Sequence, residues 1–202
     1  MARSPAPEAV DARILTIAAD HIRRFGLLRT TVTGIADAAG MSHANVYRHF
    51  RSKQFLFDAV TSQWLRPLEA GMRDIADGPD PAHDKMERLV TGLYRAYRDK
   101  LDDDAVLFAL FSDATAQGRS VARRHRNVVQ GLAQRVIEEG MSGGSFAQSD
   151  SRRALALVFD GLHRFTYPLS VQIDGAVERR QVDARMERVV RIVLEALRRG
   201  RI

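Results

Sequence analysis

The 202-residue chain contains no cysteine, so neither a disulfide nor a thiolate metal site is available to it. No stretch approaches the roughly 18 uninterrupted apolar residues that a membrane-spanning helix needs. The period-two alternation of a half-buried strand is missing, and so are the Asn-Gly and Asp-Gly pairs that mark hairpins. The chemistry-bearing motifs of enzymes are missing too. There is no Gly-rich phosphate loop and no His-Glu-x-x-His, and the six histidines (His21, His43, His49, His83, His125, His163) are scattered. Asp102-Asp-Asp104 is acidic, but it sits where a helix is expected to start, a place that favours Asp in any case. No catalytic residue, metal or cofactor is expected, and an all-helical enzyme is the weakest of the readings considered. The opening Met1-Ala-Arg-Ser-Pro-Ala-Pro7 has no apolar core and is not a signal peptide, which together with the missing cysteines points to the cytoplasm. Lysine is scarce, with only Lys53, Lys85 and Lys100; the dominance of Arg reads as genome composition.

What is present is an ordinary globular mix, 45% hydrophobic and 28% charged, long enough to bury a sizeable core. Net charge is +6, unevenly placed. Residues 1–55 hold eight cations (Arg3, Arg13, Arg23, Arg24, Arg29, Arg48, Arg51, Lys53) against four acids (Glu8, Asp11, Asp20, Asp37). A basic head on a nearly neutral body suits a polyanion partner.

Apolar residues recur at helical spacing throughout, which predicts an all-α protein of about nine helices. Residues 1–7 read as a disordered arm, 8–55 as a head and 56–202 as a body. The first helix runs from about Pro7 to Phe25, with Ile14, Ile17, Ala18, Ile22 and Phe25 facing the core and Gly26 ending it. Thr31 caps a short helix over Val32–Ala39 closed by Gly40, and Ser42 caps a second over His43–Phe50. Ser52 caps a long helix to about Ala76, and Asp77-Gly-Pro-Asp-Pro81 breaks the chain. Helices follow near 82–100, 103–117 and 119–140. Met141-Ser-Gly-Gly-Ser145 is expected to be a flexible loop, and two long helices close the chain near 149–170 and 177–199.

The most informative stretch is Thr31 to Phe50. Two short helices meet at Gly40, which can take the positive φ of a tight turn, and Ala36 is small enough for a close crossing. Ile35, Ala39, Met41, Val46 and Phe50 are spaced to share a core with the first helix. His43, Ala44, Asn45, Arg48 and His49 then fall on the outer face of the second short helix, which has the size and chemistry to enter a major groove.

This segment resembles the tetracycline-repressor family of regulators. The matching residues are Thr31-Val32, Ile35-Ala36, Ala39-Gly40, Ser42, Val46-Tyr47, His49-Phe50 and Lys53, covering about residues 10–60. The resemblance implies a three-helix helix-turn-helix DNA-binding domain followed by a helical ligand-binding and dimerisation domain. It implies that Thr31, Thr33, Tyr47, His49 and Lys53 hold phosphate, that His43, Ala44 and Asn45 face base edges, and that Arg48 does either. One departure is Gly34, where the family often has a Glu that would complete a capping box with Thr31.

The body carries two apolar stripes, Leu155, Val158, Phe159, Leu162, Phe165 and Leu169, then Val182, Met186, Val189, Val190, Val193 and Leu197. In the family such helices pair across a two-fold axis as a four-helix bundle, so Leu155, Phe159, Leu162, Met186, Val190, Val193 and Leu197 are the expected homodimer interface. Aromatic and polar groups mix mid-chain (Trp64, Tyr94, Tyr97, Phe108, Phe111, His125, Phe159, His163, Tyr167). The corresponding family helices enclose an inducer pocket, and Trp64, Tyr94, Phe108, Phe111, His163 and Tyr167 are the expected lining for an apolar or aromatic ligand. Pro168 is expected to end or kink its helix, and Arg123-Arg-His-Arg126 reads as a solvated helix face. The leading functional expectation is a sequence-specific transcriptional repressor, binding palindromic double-stranded DNA as a homodimer and released by a small-molecule effector. The alternative is a regulator of the same fold with no inducer.

Overall fold

The computed structural model describes residues 7–201, with side chains from residue 9 onward. The arm expected over residues 1–7 lies outside them except at Pro7, where the first helix begins. Eleven α-helices and one 3-10 turn make up the described residues, with no strand. They are α1 (Pro7–Arg29), α2 (Val32–Ala39), α3 (His43–His49), α4 (Lys53–Ala76), α5 (Ala82–Asp103), α6 (Ala105–Ala116), α7 (Ser120–Ser142), α8 (Ser151–Gly161), α9 (His163–Thr166), α10 (Pro168–Ile173) and α11 (Arg179–Arg199). The 3-10 turn, Asp174–Ala176, precedes α11.

The head forms where its capping residues dictate. The Thr31 hydroxyl accepts from the Gly34 amide at 3.0 Å, Ser42 from Asn45 at 3.2 Å and Ser52 from Phe55 at 3.0 Å, each satisfying an orphan donor of a helix's first turn. Gly40 takes φ 64° and ψ 34°. Its amide reaches the Asp37 carbonyl and that of Met41 reaches Ala36, a Schellman closure that turns the chain sharply into α3. Ile14, Ala18, Ile22, Ile35 and Val46 are all fully buried in the shared core.

Several expectations need correction. Gly26 breaks α1 (φ 76°, ψ 168°) but a further turn follows it. Phe25, expected inside, is 43% exposed and packs on His21 and under Arg24 instead. The helix count rises from about nine to eleven because the segment expected as one helix over 149–170 is three. Tyr167 is extended (φ −99°, ψ 119°), as the residue before a proline tends to be. Pro168 occupies the first turn of α10, where its missing N–H is no loss. Pro168 therefore terminates one helix and starts another.

The loop expected to be flexible after Met141 is anchored. Helix α7 runs on to Ser142, and Phe146 is buried to 2% exposure. Its ring lies against Gly140, where any side chain would collide with it, and the Ala147 amide bonds to the Leu197 carbonyl at 3.1 Å. The loop therefore pins the end of α11 to the end of α7.

Two hydrophobic cores result. One lies in the head, from Ile14 to Val60; the larger lies in the body among α4, α5, α7, α8 and α11. Helix α6 belongs to both. Its Leu107 and Leu110 complete the head core, while Phe108, Phe111 and Ala114 sit in the body core.

Replacing Phe146 by Ala should cost about 3–5 kcal/mol of stability, the usual range for emptying a buried aromatic site. Urea unfolding at fixed protein concentration reads this directly; a loss under 1 kcal/mol would mean the loop is not an anchor.

Candidate DNA-binding head and ligand cavity

The nine head residues singled out from the sequence fall into two groups. Thr31, Thr33, His43, Ala44, Tyr47 and Arg48 are exposed, and Asn45 is half-buried, all at α2 and α3. The Tyr47 ring meets the His43 ring edge-on at 4.7 Å, so the two aromatic groups brace each other at the start of α3. His49 and Lys53 are more constrained. His49 Nδ1 is 2.5 Å from Asp11 Oδ1, which ties the end of α3 to α1. Lys53 Nζ sits 5.2 Å from the Phe57 ring centroid and donates to the Leu27 carbonyl at 3.5 Å. Both side chains are held by the head itself before any partner is met.

The departure at Gly34 has a physical account. A Cβ built there would lie 2.8 Å from His21 Nε2 and 3.3 Å from the Thr31 hydroxyl. The imidazole of α1 fills the volume that a side chain at position 34 would need. The glycine thus permits a closer α1–α2 packing, at the expense of helix propensity in α2.

In the body, a cavity of about 200 Å³ opens between α5, α6, α7, α8 and the α9–α10 junction. Its deep wall is apolar and aromatic: Leu93, Phe111, Ala122 and Val129, with Phe159 and Pro168 closing the far side. Of the six expected lining residues, Phe111, His163 and Tyr167 are there. The His163 and Tyr167 rings stack at 4.6 Å with 22° between their planes, as their i, i+4 spacing suggested.

Trp64, Tyr94 and Phe108 are not part of this cavity. Trp64 lies under Lys100, whose Nζ is 4.1 Å from the ring, and borders a separate open groove between α1 and α4. Tyr94 is 2% exposed and donates its hydroxyl to Asp183 at 2.9 Å, joining α5 to α11. Phe108 is fully buried, edge-on to both Trp64 and Tyr97. All three are aromatic core, which periodicity alone cannot separate from pocket lining.

Tyr97 and His125 do line the cavity, and they form a relay to α4. Tyr97 Oη is 2.8 Å from His125 Nε2, and His125 Nδ1 is 2.8 Å from Glu69 Oε1. With the ring proton placed on Nδ1, His125 donates to Glu69 and accepts from Tyr97. Burial, and then the Glu69 charge, push the Tyr97 pKa well above its ordinary value, so the phenol stays protonated. Partial burial opposes ionisation of Glu69, but the His125 hydrogen bond and Arg73 outweigh it and hold its pKa below the ordinary value. A Tyr and a His 28 residues apart carry no local spacing signal, so the relay was invisible in the sequence.

A second link leaves the cavity at Gly118, which takes φ 59°. The next residue, Arg119, has a side chain only 9% exposed and meets Asp58 of α4 at 3.0 Å and Asp113 of α6 at 3.3 Å. Asp58 lies five residues beyond Lys53 on α4.

The expected dimer-interface residues are mostly spoken for within the chain. Leu162, Met186, Val190, Val193 and Leu197 are each at most 4% exposed, packed in the body core. They have no surface left to give a partner, and only Leu155 and Phe159 remain half-buried. The two stripes pack against each other and α5, because a monomer body of this size needs them for its own core.

Comparison with known proteins agrees with this architecture. Residues 14–60 match the family model described as bacterial regulatory proteins, tetR family. Residues 82–190 match that of the tetracyclin repressor-like C-terminal domain. The chain is 32% identical over 151 residues to the HTH-type transcriptional repressor KstR2 of Rhodococcus jostii, covering 72% of each chain. It is 27% identical to the HTH-type transcriptional regulator RutR of Escherichia coli O157:H7, covering 97% of this chain and 94% of that one. The solved structure of the transcriptional regulator FadR from Bacillus subtilis in complex with stearoyl-CoA superposes with a TM-score of 0.68 at 16% identity, over 91% of this chain and 97% of that one. No helix among the described residues is long and apolar enough to cross a membrane.

If the His21 ring is what keeps position 34 a glycine, Gly34→Ala should be neutral or destabilising in the native background. In a His21→Ala background the same change should stabilise, by up to about 1 kcal/mol. A double-mutant cycle by chemical denaturation tests this, and equal effects in both backgrounds would dismiss it.

Proposed function

The chain belongs to the tetR family of bacterial regulatory proteins and is a DNA-binding transcriptional regulator; on that premise we propose that it is a homodimeric repressor whose operator affinity falls when a small ligand fills the body cavity. The observation that carries this reading is the double membership of α6. One face of the helix completes the head core, and the other, through Phe111 and Thr115, forms cavity wall. A ligand that shifts α6 or its C-terminal turn acts on the head directly, and through Arg119–Asp58 and His125–Glu69 it acts on α4 as well. A fully packed body would have favoured a regulator without an effector, and the cavity speaks against that. The complex of the FadR relative with stearoyl-CoA supports an effector-binding body in this fold.

The head residues act in two ways in this reading. Thr31, Thr33, Tyr47, His49 and Lys53 hold phosphates and set the register, His43, Ala44 and Asn45 meet base edges, and Arg48 does either. A palindromic operator requires two heads about 34–36 Å apart. We assign the dimer contact to the outer faces of the last long helices, where Ala156, Leu157 and Phe159 of α8 and Val189, Ile192 and Ala196 of α11 retain exposed surface. Ile192 is 68% exposed.

Fluorescence anisotropy against DNA from the protein's own promoter region and a scrambled control, at several salt concentrations, tests the proposal. The promoter should be preferred by roughly a thousandfold or more. Asn45→Ala should erode that preference, while Lys53→Ala should weaken both DNAs alike and flatten the salt slope by about one unit. Equal weak binding to both DNAs, or none at low salt, would overturn it.

A further inference from the structure

Resting on the reading of the cavity as an effector site, we propose that its ligand is a small monocyclic aromatic acid carrying a hydroxyl group, bound ring-inward with the hydroxyl at the deep wall and the carboxylate at the rim.

Size comes first. An apolar cavity of about 150 Å³ takes one benzene ring. The present cavity, about 200 Å³, matches one ring with a few substituent atoms. The wall suits a ring: Phe111 and Phe159 contribute π-faces, and Leu93 and Val129 aliphatic surface.

The polar groups divide by exposure: Tyr97 is buried and Thr115 and Thr166 half-buried, whereas the charged groups are exposed. Four hydroxyls line the cavity, those of Tyr97, Thr115, Thr166 and Tyr167, and the first three already donate their protons within the chain. Tyr97 donates to His125 Nε2 at 2.8 Å, Thr115 to the Phe111 carbonyl at 2.9 Å and Thr166 to the Leu162 carbonyl at 3.0 Å. What these oxygens offer a ligand is lone pairs. A ligand group placed against Tyr97, Thr115 and Thr166 must donate, and a bare carbonyl, ether or carboxylate beside those three would face acceptors only, the lining's other hydroxyl and amide donors being those of Tyr167 and Gln130. A phenolic hydroxyl fits, and a carboxylate does not.

The rim has the opposite character. Arg123 and Arg126 of α7 and His163 of α9 stand at the solvent side, all exposed. The Arg123 guanidinium donates to the Gly118 carbonyl. Arg126 makes no hydrogen bond or ion pair among the described residues. Asp160 is the one carboxylate of the lining, so two guanidiniums face a single acid and the rim is net positive. A ligand carboxylate there gains a charge-assisted hydrogen bond from Arg126. The basic run Arg123 to Arg126, which looks like a solvated face in sequence, is thus divided: His125 turns inward to the relay and Arg126 stands over the opening.

Isothermal titration calorimetry with the three hydroxybenzoate isomers, benzoate, phenol and 4-methoxybenzoate tests the assignment. At least one hydroxybenzoate should bind tenfold or more tightly than benzoate, phenol and 4-methoxybenzoate. Arg126→Ala, a change at an exposed side chain, should lower affinity for that hydroxybenzoate about tenfold and leave it no better than phenol. No hydroxybenzoate binding up to millimolar concentration, phenol binding as tightly as the acid, or an Arg126→Ala protein that binds the acid as before would each overturn the proposal. Adding the same compounds to the promoter-DNA complex separates the two levels. Release of DNA by phenol with no preference for the acid would overturn the ligand class and leave the effector reading standing. Tight hydroxybenzoate binding without DNA release would do the reverse.

Discussion

The burial of α6 on two sides governs how the rest of the molecule can behave. A helix apolar all round must be covered all round, and α6 has little polar surface besides Ser112, Asp113 and Thr115. Leu107 and Leu110 go to the head, and Phe108 and Phe111 to the body. Both ends are then tied to the head's helices. Asp104, the N-cap of α6, accepts from the Leu107 amide at 3.1 Å and from Arg23 of α1 at 2.8 Å. Beyond its C-terminus, Arg119 reaches Asp58 of α4 and the Leu110 carbonyl. The head and body cannot slide past each other without moving this helix, because a close-packed interior deforms by steps and not continuously.

The polar links around α4 add direction to that coupling. A hydrogen bond to a charged group contributes modestly when intact, but leaving one partner unpaired away from water is costlier. Arg119–Asp58 and His125–Glu69 both start at residues on or beside the cavity and end on α4. Desolvation raises the Asp58 pKa despite Arg119 beside it, the mark of a charge kept in a poorly hydrated place. Helix α4 begins with Lys53, under the head, and ends beside α7. It therefore receives both links, at Asp58 and Glu69, and presents the expected phosphate contact at its first residue.

Local signals made the head legible. The caps Thr31, Ser42 and Ser52 and the turn glycine Gly40 act within three or four residues, so their spacing in the chain is already their geometry. The body was harder for the converse reason. His163 and Tyr167 could be placed together because one helical turn separates them. The Tyr97–His125–Glu69 relay joins three helices, and nothing in the chain marks it. Trp64, Tyr94 and Phe108 share residue type and periodicity with true lining residues, and only the packing tells them apart. The stripe from Met186 to Leu197 was legible as buried, but burial does not say by whom. The answer, the chain's own core, follows from how much apolar surface α5 and α8 need to cover. Phe146 was missed because a Gly-Ser tract reads as loose, whereas here it only delivers one aromatic side chain to the notch at Gly140.

A small effector is adequate for such a device. Shifting operator affinity ten- to hundredfold requires that the ligand favour one head arrangement over the other by about 1.4–2.8 kcal/mol. Arg119–Asp58 is half-buried, and losing a hydrogen bond to a charged group costs about 1.5–3 kcal/mol. A ring that wedges Thr115 and Gly118 enough to strain Arg119 away from Asp58 therefore acts on an interaction large enough to set the head equilibrium. The cavity need not be large or the displacement long. It needs only to sit where α6 ends and α7 begins, one residue from the guanidinium that holds α4.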